Sequence, residues 1–370
     1  MDGYVDRLCA EIHRARATAE HIGAELSRSA DSVYFGGGTP SLLSDVQFHR
    51  IFATLREQFD LAANAEITLE CAPGQLAEET LDELLCQDVN RVSLGVQSFV
   101  DREAAAVGRL HTGAECEAEI ERLRSAGVKD IGLDLIAGLP YQTEASWRES
   151  VERAIASGVT HVSVYMLEVD EESRLGREVL GGGTRYGAQE LPSDDEAAAW
   201  YEIGCGLLGG AGVRQYEISN FAREGYESRH NVKYWRRQPY VGFGLDAHSM
   251  LYTREDAVRF QNTDDLDAYM ESGFAGLLNV LSGKSGPKPE FVDREAAFEE
   301  SLFLGLRLNA GVNLMALREA FDVEMIESSV PAIHEACEAG FIEVDGDQIR
   351  LTARGRMASN EVFSRLLVAA

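Results

Sequence analysis

The chain has 370 residues, 45% of them hydrophobic, and a formal charge of -28 from 34 basic and 62 acidic side chains. This length allows one large core or two to three smaller ones, and the acidity repels phosphate backbones, which argues against a nucleic-acid partner where no basic patch is present. No run of about eighteen apolar residues marks an integral membrane segment, and Met1-Asp2-Gly3-Tyr4 lacks the basic and apolar regions of a secretion signal, so the cytoplasm is the expected location.

From Tyr4 to about Tyr165 the apolar pattern alternates between helical and strand periods. A helix from Tyr4 to about Arg28 leads to a strand Val33–Phe35, a helix Asp45–Gln58 and a strand Ile67–Cys71. A helix starting near Ala77 follows, then strand Val92–Val96, helix Ala114–Ala126, strand Asp130–Ile136, helix Glu144–Ser157 and strand His161–Tyr165. Such regular alternation predicts parallel strands with right-handed crossovers, hence an α/β barrel or an open doubly wound sheet. Ligands in these folds bind at the C-terminal ends of the strands.

Those ends carry polar groups. The first strand runs into Gly36-Gly37-Gly38-Thr39-Pro40, where glycine lets a ligand approach the main chain. Glu70 closes the second strand, Gln97 the third, and Asp134 lies late in the fourth. A helix cap or turn would explain any one of them. Four in succession point to one pocket, suited to a ligand with an amino group and a ribose, with Arg109 available for a carboxylate. A second run, Gly181-Gly182-Gly183-Thr184, follows no strand and serves as an internal contrast.

Six cysteines are scattered with no two closer than fifteen residues, which excludes a local metal motif among them. Towards the C-terminus, Ser282–Pro289 reads as a polar linker or mobile loop. Helices near Glu295–Leu308, Leu314–Ala320 and Met325–Ala339 then precede a hairpin, Phe341–Leu351, with an Asp-Gly turn, and a final helix. This is a winged-helix pattern, but Glu343, Asp345 and Asp347 make the wing acidic, which favours docking or a lid over DNA binding.

Three motifs, Tyr-Phe-Gly-Gly-Gly-Thr-Pro-Ser-Leu-Leu at 34–43, Val-Ser-Leu-Gly-Val-Gln-Ser-Phe at 92–99 and Gly-Leu-Asp-Leu-Ile-Ala-Gly-Leu-Pro-Tyr-Gln-Thr at 132–143, resemble in order those of the HemW and HemN group of radical S-adenosylmethionine proteins. The resemblance covers nearly the whole chain. It implies an α/β fold: a partial (β/α)6 barrel without its first strand, followed by a small winged-helix-like α+β domain. Expected divisions are a barrel core at 1–165, a completing region at 166–285 and a C-terminal domain at 290–370. It further implies that Gly37, Gly38, Thr39, Glu70, Gln97, Arg109 and Asp134 contact S-adenosylmethionine, with Arg109 on the methionine carboxylate.

His230-Asn231-Val232-Lys233-Tyr234-Trp235 resembles the haem-binding signature of the HemW branch, a group of haem chaperones. The resemblance implies that His230 ligates haem iron while Tyr234 and Trp235 face the porphyrin; a neutral imidazole is a usual axial ligand. His248 is a rival candidate read as packing or hydrogen bonding. The family also carries a CX3CX2C motif for a [4Fe-4S] cluster, which this sequence lacks upstream of its first helix; the expectation is that this chain alone performs no radical chemistry. The implied role is delivery of haem to acceptor haem proteins, with a cluster-dependent homodimer in the full-length family. The alternative is an oxygen-independent coproporphyrinogen III dehydrogenase.

Overall fold

The computed structural model describes residues 1–171, 173–271 and 289–367. The chain forms two compact units, one of Met1–Ser32, Leu43–Ala65 and Arg229–Ala370, the other of Val33–Leu42 and Glu66–Ser228. Nearly all of the predicted linker Ser282–Pro289 lies outside the described residues.

Eight strands precede residue 230: β1 (Ala24–Glu25), β2 (Ser29–Phe35), β3 (Asp60–Cys71), β4 (Arg91–Gln97), β5 (Asp130–Ala137), β6 (His161–Met166), β7 (Arg214–Gln215) and β8 (Asn220–Ala222). Seven of them form one sheet in the order β2-β3-β4-β5-β6-β8-β7. Strands β3 to β6 are parallel, and β8 and β7 join antiparallel beyond β6. Helices Glu78–Cys86, Gly113–Ala126 and Glu144–Ala156 make the crossovers. Thr112 caps the second of these, accepting from Glu115 N while the Glu115 carboxylate accepts from Thr112 N.

The central strands alternate. Val92, Leu94 and Val96 of β4, Ile131, Leu133 and Leu135 of β5, and Val162 and Val164 of β6 are buried. Between them stand Arg91, Ser93, Gly95 and Gln97, then Gly132 and Asp134, then His161 and Ser163. Successive strand side chains point to opposite faces, so one face is apolar and the other polar. A parallel sheet covered on both sides usually reads as a continuous apolar run. The departure marks the polar face as the place for a ligand.

The first unit contains a second sheet, absent from the sequence reading: β9 (His248–Thr253), β10 (Ala257–Gln261) and β11 (Glu290–Val292) join β1 in the order β1-β9-β10-β11, antiparallel throughout. The single long N-terminal helix is also corrected. It is two helices, Asp2–Ile12 and Ala15–His21, separated where Arg14 N turns to Glu11 O in a tighter bond, and Gly23 at φ 69° ends the second.

At the C-terminus, helices Arg294–Arg307, Leu314–Ala320 and Val323–Glu338 accompany a three-stranded sheet in the order β12 (Val312–Asn313, between the first two helices), β14 (Gln348–Leu351) and β13 (Ile342–Asp345). Asp345 pairs with Gln348, so the hairpin turns on Gly346 and Asp347, with Gly346 at φ 62°. The winged-helix arrangement follows the sequence expectation. Within the first unit, buried Arg237 donates to Glu300 at 2.7 Å and Asp256 at 2.5 Å, and Arg259 also reaches Glu300. These ion pairs tie the helix Arg294–Arg307 to the chain following Trp235.

Candidate functional site

At the end of β2 the chain enters the glycine turn. The Tyr34 hydroxyl donates to Glu70 Oε1 at 2.5 Å and Gly37 N donates to Glu70 Oε2 at 3.1 Å. Glu70 therefore anchors the turn with both oxygens. Any Cβ at residue 36 would lie 2.4 Å from the Tyr34 ring and 2.9 Å from the Glu70 carboxyl carbon, and Gly37 adopts φ 96°; glycine is required at both. Burial, then the Glu70 charge beside it, pushes the Tyr34 hydroxyl far above its ordinary range, so it remains a phenol. Gly38 and Thr39 continue the turn and are exposed.

The last residues of β4 are irregular. Pairing with β5 shifts register between Leu94 and Gln97, and Gln97 adopts φ 67°. The irregularity re-aims the amide. An atom added at Gly95 would lie 3.3 Å from Gln97 Nε2 and 3.5 Å from an Arg109 terminal nitrogen, so the amide and the guanidinium meet over that glycine. Asp134 adds a carboxyl nearby. Burial, with a contribution from Glu70, raises its pKa to about 6 against the opposing effects of the Ser163 hydroxyl, Arg109 and Arg91. The second unit thus brings Glu70, Gln97, Arg109 and Asp134 into one electrostatically coupled group. This cradle, open where Gly95 has no side chain, fits a small ligand carrying amino, hydroxyl and carboxylate groups.

His230 lies in the first unit, on helix Arg229–Trp235. Its Nδ1 is 3.1 Å from Ser32 Oγ and its Nε2 is 2.9 Å from the Tyr234 hydroxyl. Burial, then Lys233, lowers its pKa to about 4, so the imidazole is neutral near pH 7. The Tyr234 ring packs edge-on against Tyr240 with centroids 4.6 Å apart, and Arg307 stacks over Trp235 at 4.3 Å. Trp235 Nε1 is buried without a hydrogen-bond partner among the described residues. His248 is exposed on β9.

A neutral imidazole beside unsatisfied indole fits haem, provided one hydrogen bond of His230 is exchanged for iron. The cysteines do not fit an iron-sulfur cluster. Burial pushes the Cys71 and Cys116 thiols up to about 12, and no group of three His, Cys, Asp or Glu among the described residues is placed to hold a metal.

Sequence reasoning found the strand-end groups but missed two supporting side chains. Tyr34 lies within the predicted apolar strand Val33–Phe35, and the bond of its hydroxyl to Glu70 emerges only in the fold. Ser32 carries no signal in the sequence. It meets His230 across 198 positions of sequence.

Comparison with known proteins bears on this geometry. The radical SAM superfamily matches residues 13–154, and the HemN C-terminal domain matches residues 292–358. The heme chaperone HemW of Lactococcus lactis subsp. lactis (strain IL1403) is 32% identical over 337 residues, covering 91% of this chain and 84% of the relative. That of Bacillus subtilis (strain 168) is 32% identical over 339 residues, covering 91% and 85%. Among solved structures, coproporphyrinogen III oxidase (HemN) from Escherichia coli, a radical SAM enzyme, superposes with a TM-score of 0.78 at 23% identity, covering 99% of this chain and 82% of that one. This last likeness shows the fold. The family match and the fold define a radical S-adenosylmethionine protein, a class that carries S-adenosylmethionine and a [4Fe-4S] cluster. Within that class, the chain belongs to the HemW family.

Proposed function

We propose that this protein binds haem through His230 and delivers it to acceptor haem proteins in the cytoplasm. The observation that carries the reading is the neutral, oriented imidazole of His230, in a chain whose relatives are named heme chaperones. Ser32 holds Nδ1 and so leaves Nε2 as the iron ligand once the Tyr234 hydroxyl swings aside, in the manner of outer hydrogen bonds that orient metal-bound imidazoles. Tyr234 and Trp235 supply flat surface for the porphyrin.

In the second unit, Gly37, Gly38 and Thr39 offer backbone to S-adenosylmethionine. Arg109 and Gln97 take its carboxylate, and Asp134 and Glu70 take amino and ribose groups. When bound, that cofactor supplies a source of alkyl radical on reduction. The residues described here contribute binding and orientation only. The support for Arg109 is that its guanidinium carries no hydrogen bond or ion pair among the described residues.

Titration of the purified chain with haem, followed by its Soret band, tests the reading. A saturable shift is expected, with a changed band position and weaker binding in His230→Ala. Identical spectra and affinity for wild type and variant would remove the assignment.

A further inference from the structure

The helix Arg229–Trp235 carries a row of cations beside the imidazole. Arg236 N donates to Val232 O, so helical bonding continues one residue past Trp235, and Arg229, Lys233 and Arg236 fall at i, i+4 and i+7 on one flank. His230 and Tyr234 share the neighbouring flank, with Lys233 three residues after His230, a spacing that makes the two side chains neighbours on the helix surface. The row stands out in a chain with 34 basic against 62 acidic side chains.

The cations differ in what holds them. Arg229 donates to the Asn64 carbonyl. Lys233 Nζ lies 2.6 Å and 2.7 Å from the two carboxylate oxygens of Asp31, one residue before the Ser32 that holds His230 Nδ1. The Asp31 side chain is 59% exposed, so this carboxylate can be exchanged for another without burying a bare charge. Arg236 is exposed, and its guanidinium makes no hydrogen bond or ion pair among the described residues. Arg237, next in sequence, turns away at φ 50° and is committed to Glu300 and Asp256.

We propose, in an inference that rests on the haem reading above, that Lys233 and Arg236 select for the free acid groups of haem, Arg236 taking one propionate and Lys233 exchanging Asp31 for the other. Haem brings two carboxylates, and a strongly acidic chain repels them unless cations stand where they land. A guanidinium without a partner gives up no bond to take one, and its fork matches a carboxylate with two parallel hydrogen bonds. The ammonium trades one carboxylate for another. Asp31 thus stands in for a propionate while the site is empty and competes with it during loading.

The test is absorbance titration with haem and with the iron complex of protoporphyrin IX dimethyl ester, whose acids are masked. Three proteins are compared: wild type, the double variant Lys233→Gln with Arg236→Gln, and Asp31→Asn. Wild type is expected to bind haem about tenfold more tightly than the ester, and the double variant to lose that preference by weakening haem alone. Asp31→Asn breaks the same ion pair but keeps the ammonium, so it should strengthen haem binding roughly threefold and leave the ester unchanged. If Lys233 only anchored the helix, Asp31→Asn would weaken both ligands instead. Equal wild-type affinity for haem and ester, an equal loss of both in the double variant, or weaker haem binding in Asp31→Asn would overturn the proposal and leave the His230 assignment standing. A Soret band that His230→Ala leaves unchanged would remove the haem reading, and the propionate site with it.

Discussion

The Tyr234 hydroxyl sits 2.9 Å from His230 Nε2, so the nitrogen assigned to iron is engaged by a neighbour on the same helical turn. Replacing Tyr234 by Phe keeps the ring against Tyr240 and removes the competing hydroxyl. A hydrogen bond of this kind contributes about 1 kcal/mol net, so Tyr234→Phe should bind haem about fivefold more tightly. Absorbance titration of both proteins side by side measures it, and weaker binding in the variant would show that the hydroxyl helps to hold the porphyrin.

Asp134 makes a prediction about pH. Its carboxyl titrates near 6 in the folded protein, above the ordinary Asp value, so the folded state holds a proton that the unfolded state has released. As pH rises from about 4 to about 6, stability is lost at this site, and the loss is complete above that window. Asp134→Asn removes the penalty. The variant should be more stable than wild type at pH 7 by roughly 1–2 kcal/mol, with the difference fading below about pH 4. The same pH range also titrates His230 and His161, whose lowered values act in the opposite direction. The difference between variant and wild type in urea unfolding isolates the carboxyl.

Glu300 carries a stability prediction. It lies 6% exposed and accepts from both Arg237 and Arg259. Removing one member of a buried ion pair leaves an uncompensated charge, so Glu300→Ala should cost about 3 kcal/mol. The midpoint of denaturant unfolding would fall accordingly, and an unchanged midpoint would show that solvent reaches Arg237 more freely than its burial indicates.

The parallel core was legible because strand and helix periods succeed one another regularly, with short turns between, from Val33 to Tyr165. Helix Asp45–Gln58 was equally plain, opened by the Ser44 cap and its Gln47 partner. The cradle was legible only as a set of strand ends. That Gln97 adopts φ 67° at an irregular pairing follows from how β4 meets β5, and nothing in Val96-Gln97-Ser98 announces it. Strand β11 was not legible because Glu290–Val292 is separated from its partner Ala257–Arg259 by a long intervening segment and is too short to carry a period of its own; β9 and β10 form a local hairpin that the sequence reading passed over.

The two-faced character of β4, β5 and β6 also governs how the chain selects its alignment. A slip of one residue in β4 would turn Arg91, Ser93 and Gln97 to the apolar face of the sheet and Val92, Leu94 and Val96 to its polar face, exchanging favourable burial for unfavourable burial on both. The groups that await ligands therefore also act as alignment marks, and ligand-binding polarity is built into the same code that makes misthreaded sheets unstable.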